Sequence, residues 1–200
     1  MKLKVCGLKH PENIAGVLES SPDFIGLIFY EKSPRFIDAL DAEFVKSISS
    51  AKKVGVFVNA STEYILESSE KYGLDFIQLH GDESLKMVKK LKSKGLDIIK
   101  VFRVSENLPE GLEKFVSVAK YFLFDTKTAS YGGSGERFDW QILQDVAHPF
   151  FLSGGLRLED VEAIKNLQFE HLIGIDVNSQ FERDPGIKDI DKINQLKSLL

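Results

Sequence analysis

Cys6 near the start of the chain and Asp125 past its middle are of the types that move a proton between two atoms of one small molecule. A thiol becomes a useful base when cations stabilise its thiolate, and Lys4 stands two residues back, about 7 Å away on the same face of an extended segment. Arg35, in Ser33-Pro34-Arg35, offers the planar cation that suits a carboxylate. Gly154-Gly155 and Asn178-Ser179 are the residue types that let backbone amides approach a phosphate. Each also has a plainer reading. A lone cysteine is commonly a small buried hydrophobe, an aspartate at a strand end commonly caps a helix, and turns use glycine anyway. The four histidines, His10, His80, His148 and His171, show no metal-binding spacing. No metal site is expected, with His80 and Asp82 the one pairing that leaves the matter open. Neither a nucleophile elbow nor a dinucleotide fingerprint is present.

Short β-branched or aromatic runs must position these residues. They predict eight strands: 2–6, 24–29, 53–58, 75–80, 98–102, 120–125, 149–153 and 171–177. Between them, apolar residues recur at helical spacing, as in Leu85, Val88, Leu91 and in Leu158, Val161, Ile164, Leu167. The last helix reads Ile187, Ile190, Ile193, Leu196, Leu199. Asp41, Ser61 and Asp82 are the candidate helix caps. Strands alternating with helices mean crossovers and a parallel sheet. Each strand of the second four begins 96 residues after its counterpart in the first. Two matched four-strand halves point to a (β/α)8 TIM barrel rather than an open doubly wound sheet, close to minimal in length and forming one domain over 1–200.

Catalytic groups of such barrels sit at the C-terminal ends of the strands and in the loops that follow. That rule brings Cys6, Arg35, His80, Asp125, Gly154, Gly155, Asp176, Asn178 and Ser179 to one rim, and the loops after strands seven and eight favour phosphate. The run Gly132–Gly135 reads as the hinge of a mobile lid. Strand alternation predicts that Lys4, Gln78, Lys100 and Asp176 point into the barrel, either as an interior ion-pair network or toward substrate. Composition narrows the rest. Two hundred residues with 43% hydrophobic side chains supply one sizeable core, and a net charge of −4 with no basic run argues against nucleic acid or an anionic membrane. No apolar stretch approaches the ~18 residues of a transmembrane helix, and the lysine-interrupted start does not read as a signal peptide. A single cysteine is the usage of a reducing compartment, so a cytoplasmic protein is expected; small barrels of this sort occur as monomers and dimers, so a monomer or homodimer is expected.

Taken in order, the motifs resemble one family. They are Lys4-Val5-Cys6-Gly7-Leu8, Ser33-Pro34-Arg35, Val54-Gly55-Val56-Phe57-Val58-Asn59 and Gln78-Leu79-His80-Gly81-Asp82-Glu83. Asp125 follows, ahead of Gly132-Gly133-Ser134-Gly135 and Phe138-Asp139-Trp140. Then come Leu152-Ser153-Gly154-Gly155-Leu156, Gly174-Ile175-Asp176-Val177 and Pro185-Gly186-Ile187-Lys188-Asp189. The chain resembles phosphoribosylanthranilate isomerases of tryptophan biosynthesis from Lys2 to the last helix. The resemblance implies an Amadori rearrangement of a phosphosugar-anthranilate substrate without metal or cofactor. It implies Asp125 as general acid, Cys6 as general base, and Arg35, Gln78 and His80 as substrate contacts. It also implies a phosphate site at Gly154, Gly155, Asp176, Asn178 and Ser179. Two positions depart from the family pattern. Val177-Asn178-Ser179-Gln180-Phe181-Glu182 stands where Val-Ser-Ser-Gly-Val-Glu is common, and His10 replaces a smaller polar residue. The competing readings are another phosphosugar barrel enzyme, such as an epimerase, and a phosphate-binding barrel without catalysis.

Overall fold

Strands apolar on both faces need cover on both sides, and a closed parallel sheet wrapped in helices supplies it. A computed structural model describes residues 1–126 and 138–200; the Gly132–Gly135 stretch lies outside the described residues. Eight parallel strands close into a barrel in sequence order: β1 (Lys2–Cys6), β2 (Phe24–Ile28), β3 (Lys52–Phe57), β4 (Phe76–Leu79), β5 (Asp97–Val104), β6 (Tyr121–Thr126), β7 (Phe150–Leu152) and β8 (Leu172–Val177).

The outer layer is α1 (Pro11–Glu19), α2 (Ala42–Ser47), α3 (Thr62–Tyr72), α4 (Leu85–Ser93), α5 (Val161–Asn166) and α6 (Ile190–Leu199). Asp41 and Ser61 cap α2 and α3 by accepting from the amides of Phe44 and Tyr64, as their positions predict. Asp82 is not a cap: Ser84 accepts from Met87 N at the start of α4, and Asp82 turns to the Arg103 guanidinium. Ile187 is not helical either. Asp189 caps α6, while Ile187 sits in a short antiparallel hairpin of β9 (Glu182–Asp184) and β10 (Ile187–Lys188). Among the described residues, the fifth and sixth crossovers carry single 3-10 turns, Leu112–Phe115 and Trp140–Leu143, where the (β/α)8 pattern would place helices. In the fifth, Pro109 and the left-handed Gly111 (φ 81°) keep the helical turn from starting before Leu112.

Inside the barrel, Phe24, Phe76, Tyr121 and Phe151 form a closed ring of aromatic contacts, neighbouring centroids lying between 5.2 and 5.7 Å apart. They stand at or near the strand starts, so this ring plugs the N-terminal end. Val54, Ile99, Val101 and Leu123 pack with it. Polar chemistry is left to the C-terminal mouth.

The interior position of Ile99 and Val101 corrects the parity expected for β5. Lys100 and Phe102 face outward, Lys100 in register with Leu79 and Phe122 of the outer core. Lys100 is buried there because its ammonium donates to Glu83 Oε2 (2.9 Å), Gly81 O (2.8 Å) and Leu79 O (3.3 Å). Glu83 Oε1 accepts from the amides of Asn59 and Gly81, both at 3.0 Å, so one buried ion pair ties the ends of β3 and β4 to the middle of β5. Removing one partner of a buried pair strands the other charge. Glu83→Ala is therefore expected to cost about 3–5 kcal/mol in urea unfolding. A loss below about 1 kcal/mol, the scale of a solvent-exposed pair, would refute this role.

Candidate active site

Cys6 is the last residue of β1 and lies in register with Gly26 on β2. A Cβ on Gly26 would fall 2.6 Å from the Cys6 sulfur and 3.0 Å from its Cα. Glycine is what lets the thiol turn into the barrel at this point. Ile28, Val56 and the Tyr30 ring pack beside it. Below the thiol, fully buried Lys4 donates to Asp176 Oδ1 at 2.9 Å across the β1–β8 seam. Burial pushes the Cys6 thiol above its ordinary value and Asp176 adds to this, while Lys4 and Lys188 pull against them without reversing the direction. Burial also works against the Lys4 ammonium and pushes the Asp176 carboxyl up. On the lysine, the attraction of Asp176 and Cys6 wins, and Lys4 rises above its ordinary value. The 2.9 Å contact and the upward direction on Lys4 are those of an ammonium donating to a carboxylate.

Asp125 lies near the end of β6, three strands round the barrel from β1 and at the same mouth. Its Oδ1 accepts from Thr126 N at 3.0 Å, and its Oδ2 faces His80 Nε2 at 3.1 Å. The Gln78 amide nitrogen lies 3.0 Å from His80 Nδ1. An amide NH2 only donates, so in this arrangement Nδ1 accepts and the ring proton sits on Nε2, directed at Asp125. Gln78 and His80, expected as substrate contacts, form a hydrogen-bonded chain that ends on the Asp125 side chain. Asp82 belongs to the Arg103 pair, and among the described residues no three His, Cys, Asp or Glu side chains converge as metal ligands.

The loop after β7 closes onto β6 through Gly154 (φ 93°), where a Cβ would meet Thr126 Oγ1 at 2.3 Å. Gly155 is also left-handed, at φ 63°. The amides of Gly154, Gly155 and Ser179 have no backbone partner among the described residues. Ser179 opens a short 3-10 turn, Ser179–Phe181. Two of the expected phosphate residues are otherwise occupied. Asp176 is corrected: its carboxylate is held by Lys4, and its charge would repel a phosphate. Asn178 directs its side-chain oxygen to Lys188 Nζ at 2.7 Å.

Arg35 occupies the same rim but is not free. Its Nε donates to both oxygens of Glu182, at 2.9 and 3.0 Å, and its Nη2 donates to Oε2 at 2.6 Å. Glu182 also accepts from Lys188 Nζ at 2.7 Å and from Gly186 N at 3.0 Å. Burial alone would raise the Glu182 carboxyl; Arg35 and Lys188 outweigh it and hold it below the usual range. Glu182 and Lys188 were not singled out as functional from the sequence. The Pro185-Gly186 pair between them is a turn signal that marks the hairpin carrying both.

Comparison with known proteins places this geometry. The family model for N-(5′-phosphoribosyl)anthranilate (PRA) isomerase matches residues 3–198. The chain belongs to that family. The N-(5′-phosphoribosyl)anthranilate isomerase of Parabacteroides distasonis is 46% identical over 201 residues, covering 96% of this chain and 90% of that protein. The crystal structure of the Thermotoga maritima family member superposes with a TM-score of 0.83 at 33% identity, covering 98% of this chain and 96% of that one. A further family structure holds reduced 1-(o-carboxyphenylamino)-1-deoxyribulose 5-phosphate; it has a TM-score of 0.80 and 28% identity, with 99% and 97% covered.

The two departures from the family pattern are accommodated locally. Gln180 lies within the 3-10 turn and is not among the positive-φ residues, so its backbone does not require the family glycine. His10 is the N-cap position of α1 and makes no side-chain cap bond; Pro11 at the first helical position sets the start instead. Gly26→Ala is expected to cost about 1–3 kcal/mol by crowding the β1–β2 pair. By displacing the sulfur it should also lower turnover at least about tenfold, as misplaced catalytic groups do. Steady-state kinetics beside a urea titration checks both, and unchanged turnover would show that the thiol position is unimportant.

Proposed function

We propose that the chain catalyses the Amadori rearrangement of N-(5′-phosphoribosyl)anthranilate to 1-(2-carboxyphenylamino)-1-deoxyribulose 5-phosphate in tryptophan biosynthesis. Family membership supports the substrate, as does the related structure holding a reduced form of that product. The observation that carries the mechanism is the thiol of Cys6 and the carboxyl of Asp125 on two walls of one barrel mouth.

In the first step, protonated Asp125 gives its proton to the ribose ring oxygen. The C1–oxygen bond breaks, and the anthranilate nitrogen lone pair forms the C1=N bond of a Schiff base. The Cys6 thiolate then removes the C2 proton. The C2–H electrons become the C1=C2 bond, and the C1=N electrons return to nitrogen. The enol at C2 becomes the ketone as its hydroxyl gives up its proton, the O–H electrons form C2=O, and the C1=C2 electrons take up a proton at C1. The substrate's own nitrogen is the electron sink, so the sequence is complete without a redox or carbonyl cofactor.

The remaining residues position the substrate. Arg35 takes the anthranilate carboxylate through the edge of its guanidinium that Glu182 leaves open. The amides of Gly154, Gly155 and Ser179, which have no backbone partner among the described residues, take the phosphate. Among the described residues, no helix is long and apolar enough to cross a membrane.

In an assay with N-(5′-phosphoribosyl)anthranilate, Asp125→Asn and Cys6→Ala are each expected to lower kcat by about 10²–10⁴-fold, the range of a general acid or base. Full turnover in Asp125→Asn would end the assignment. Arg35→Met should instead act on KM, raising it about 10–100-fold for loss of a charge-assisted contact, with a smaller change in kcat.

A further inference from the structure

Five charged side chains crowd the barrel mouth around the end of β1. Lys4, Arg35 and Lys188 are cationic; Asp176 and Glu182 are anionic. Lys4 is paired with Asp176, and one carboxylate, Glu182, serves both Arg35 and Lys188. Lys4 and Lys188 are almost completely buried, as are both carboxylates. Three cations against two anions leave this cluster one positive charge in excess.

We propose that Lys188 is a positioning residue for the base: its ammonium supplies the unmatched positive charge that the Cys6 thiolate balances. This rests on the reading of Cys6 as base. Glu182 at 2.7 Å and Asn178 Oδ1 at 2.7 Å both accept from the Lys188 ammonium. Burial is the largest influence on Lys188 and, with Arg35, leaves its pKa lowered against the pull of Glu182 and Cys6; two oxygen acceptors at 2.7 Å are the surroundings of an ammonium. Asn178 also ties this ammonium to the thiol's own strand end: its side-chain oxygen lies 2.5 Å from where a Cβ on Gly7, next to Cys6, would stand. The other groups facing the thiol do not cancel the excess. Gly26, Ile28 and Val56 are uncharged, and Tyr30 packs as a ring. On the far wall, three strands round the barrel, Asp125 is turned to the neutral His80 ring, so its charge belongs to that side of the mouth, and Arg103 is paired with Asp82.

The test is a titration of the free, full-length chain by the ultraviolet absorbance of the thiolate, with Cys6→Ser as the blank. The chain has one cysteine, so the signal belongs to Cys6 alone. Lys188→Met is expected to raise the midpoint by about one unit or more, the effect of losing a nearby opposite charge. Glu182 keeps Arg35 as its partner in this variant, so no buried carboxylate is stranded. The double variant Lys188→Met/Glu182→Gln again leaves one excess positive charge and should return the midpoint toward that of the unaltered chain. A purely structural role predicts the opposite, since the second substitution would add to the first.

Should Lys188→Met fail to fold, Lys188→Gln removes the charge while keeping a donor for Glu182 and Asn178, and it is expected to raise the midpoint likewise. An unmoved midpoint in the single variants, or one that stays raised in the double, overturns the proposal. The acid limb of the kcat/KM profile separates this from the reading beneath it. If the thiolate midpoint moves and that limb does not, the charge balance stands and Cys6 is not the base.

Discussion

Lys4 and Asp176 face each other across the seam where β8 meets β1, and both are buried away from water. A pair of this kind is a poor route to stability. Desolvating two charges costs several kcal/mol each, and a well-packed apolar pair in the same space is commonly as stable or more so. Closing the barrel therefore does not account for the pair. What lies directly above Lys4 does: Cys6, two residues on and turned to the same interior face. The Asp176 carboxylate keeps an ammonium charged under the thiol, and in doing so it locks the register at which β1 meets β8.

The aromatic plug gives this pair its setting. Four rings seal the N-terminal end, so every polar interior group must be satisfied by another side chain or at the C-terminal mouth. The groups there divide into two neighbourhoods. Around β1 and the β9–β10 hairpin, cations exceed carboxylates. Around β4 and β6, Asp125 is held by the neutral donors His80 and Thr126 N. A substrate spanning the mouth meets a positive wall and a carboxyl wall. Such an arrangement polarises a sugar without rearranging when the reaction begins.

Much of this frame was readable from residue types alone. All eight strands lie within two or three residues of the segments their β-branched and aromatic runs predict. The rule placing chemistry at strand C-termini was enough to gather Cys6, Arg35, His80 and Asp125 at one mouth. What escaped did so for definite reasons. The observed strand starts are separated by 95 to 98 residues rather than a uniform 96. The offset from β1 to β5 is odd, and an odd offset exchanges the faces of a strand, which is why Lys100 points outward although Lys4 points inward. Alternation cannot correct this in a strand whose two faces are both apolar. Asp82 and Ser84 are both good caps, and only the Arg103 contact decides between them. The Glu182–Lys188 cluster was hidden more deeply. It joins residues to Arg35 from 147 positions earlier in the chain, a separation over which no local pattern survives.

The two walls also bear on how one enzyme supplies an acid and a base together. Thiol with carboxylate, and thiolate with carboxylic acid, carry the same net charge; they differ only in which wall holds one proton. In the mechanism proposed above, the working form for ring opening and C2 deprotonation is the second. In water it would be the minor one, since a thiol is the weaker acid by several units. Burial alone deepens that preference, because it disfavours the thiolate. A surplus of cations on the sulfur side acts against it without changing the total charge of the site. Under the proposed roles, binding of the anthranilate carboxylate to Arg35 would use part of that surplus, whereas the Schiff-base nitrogen, positive once the ring opens, would replace it. The thiolate is thus best stabilised after ring opening, when the C2 proton is also at its most acidic. Ordering of the two proton transfers then follows from where charge resides, with no moving part required.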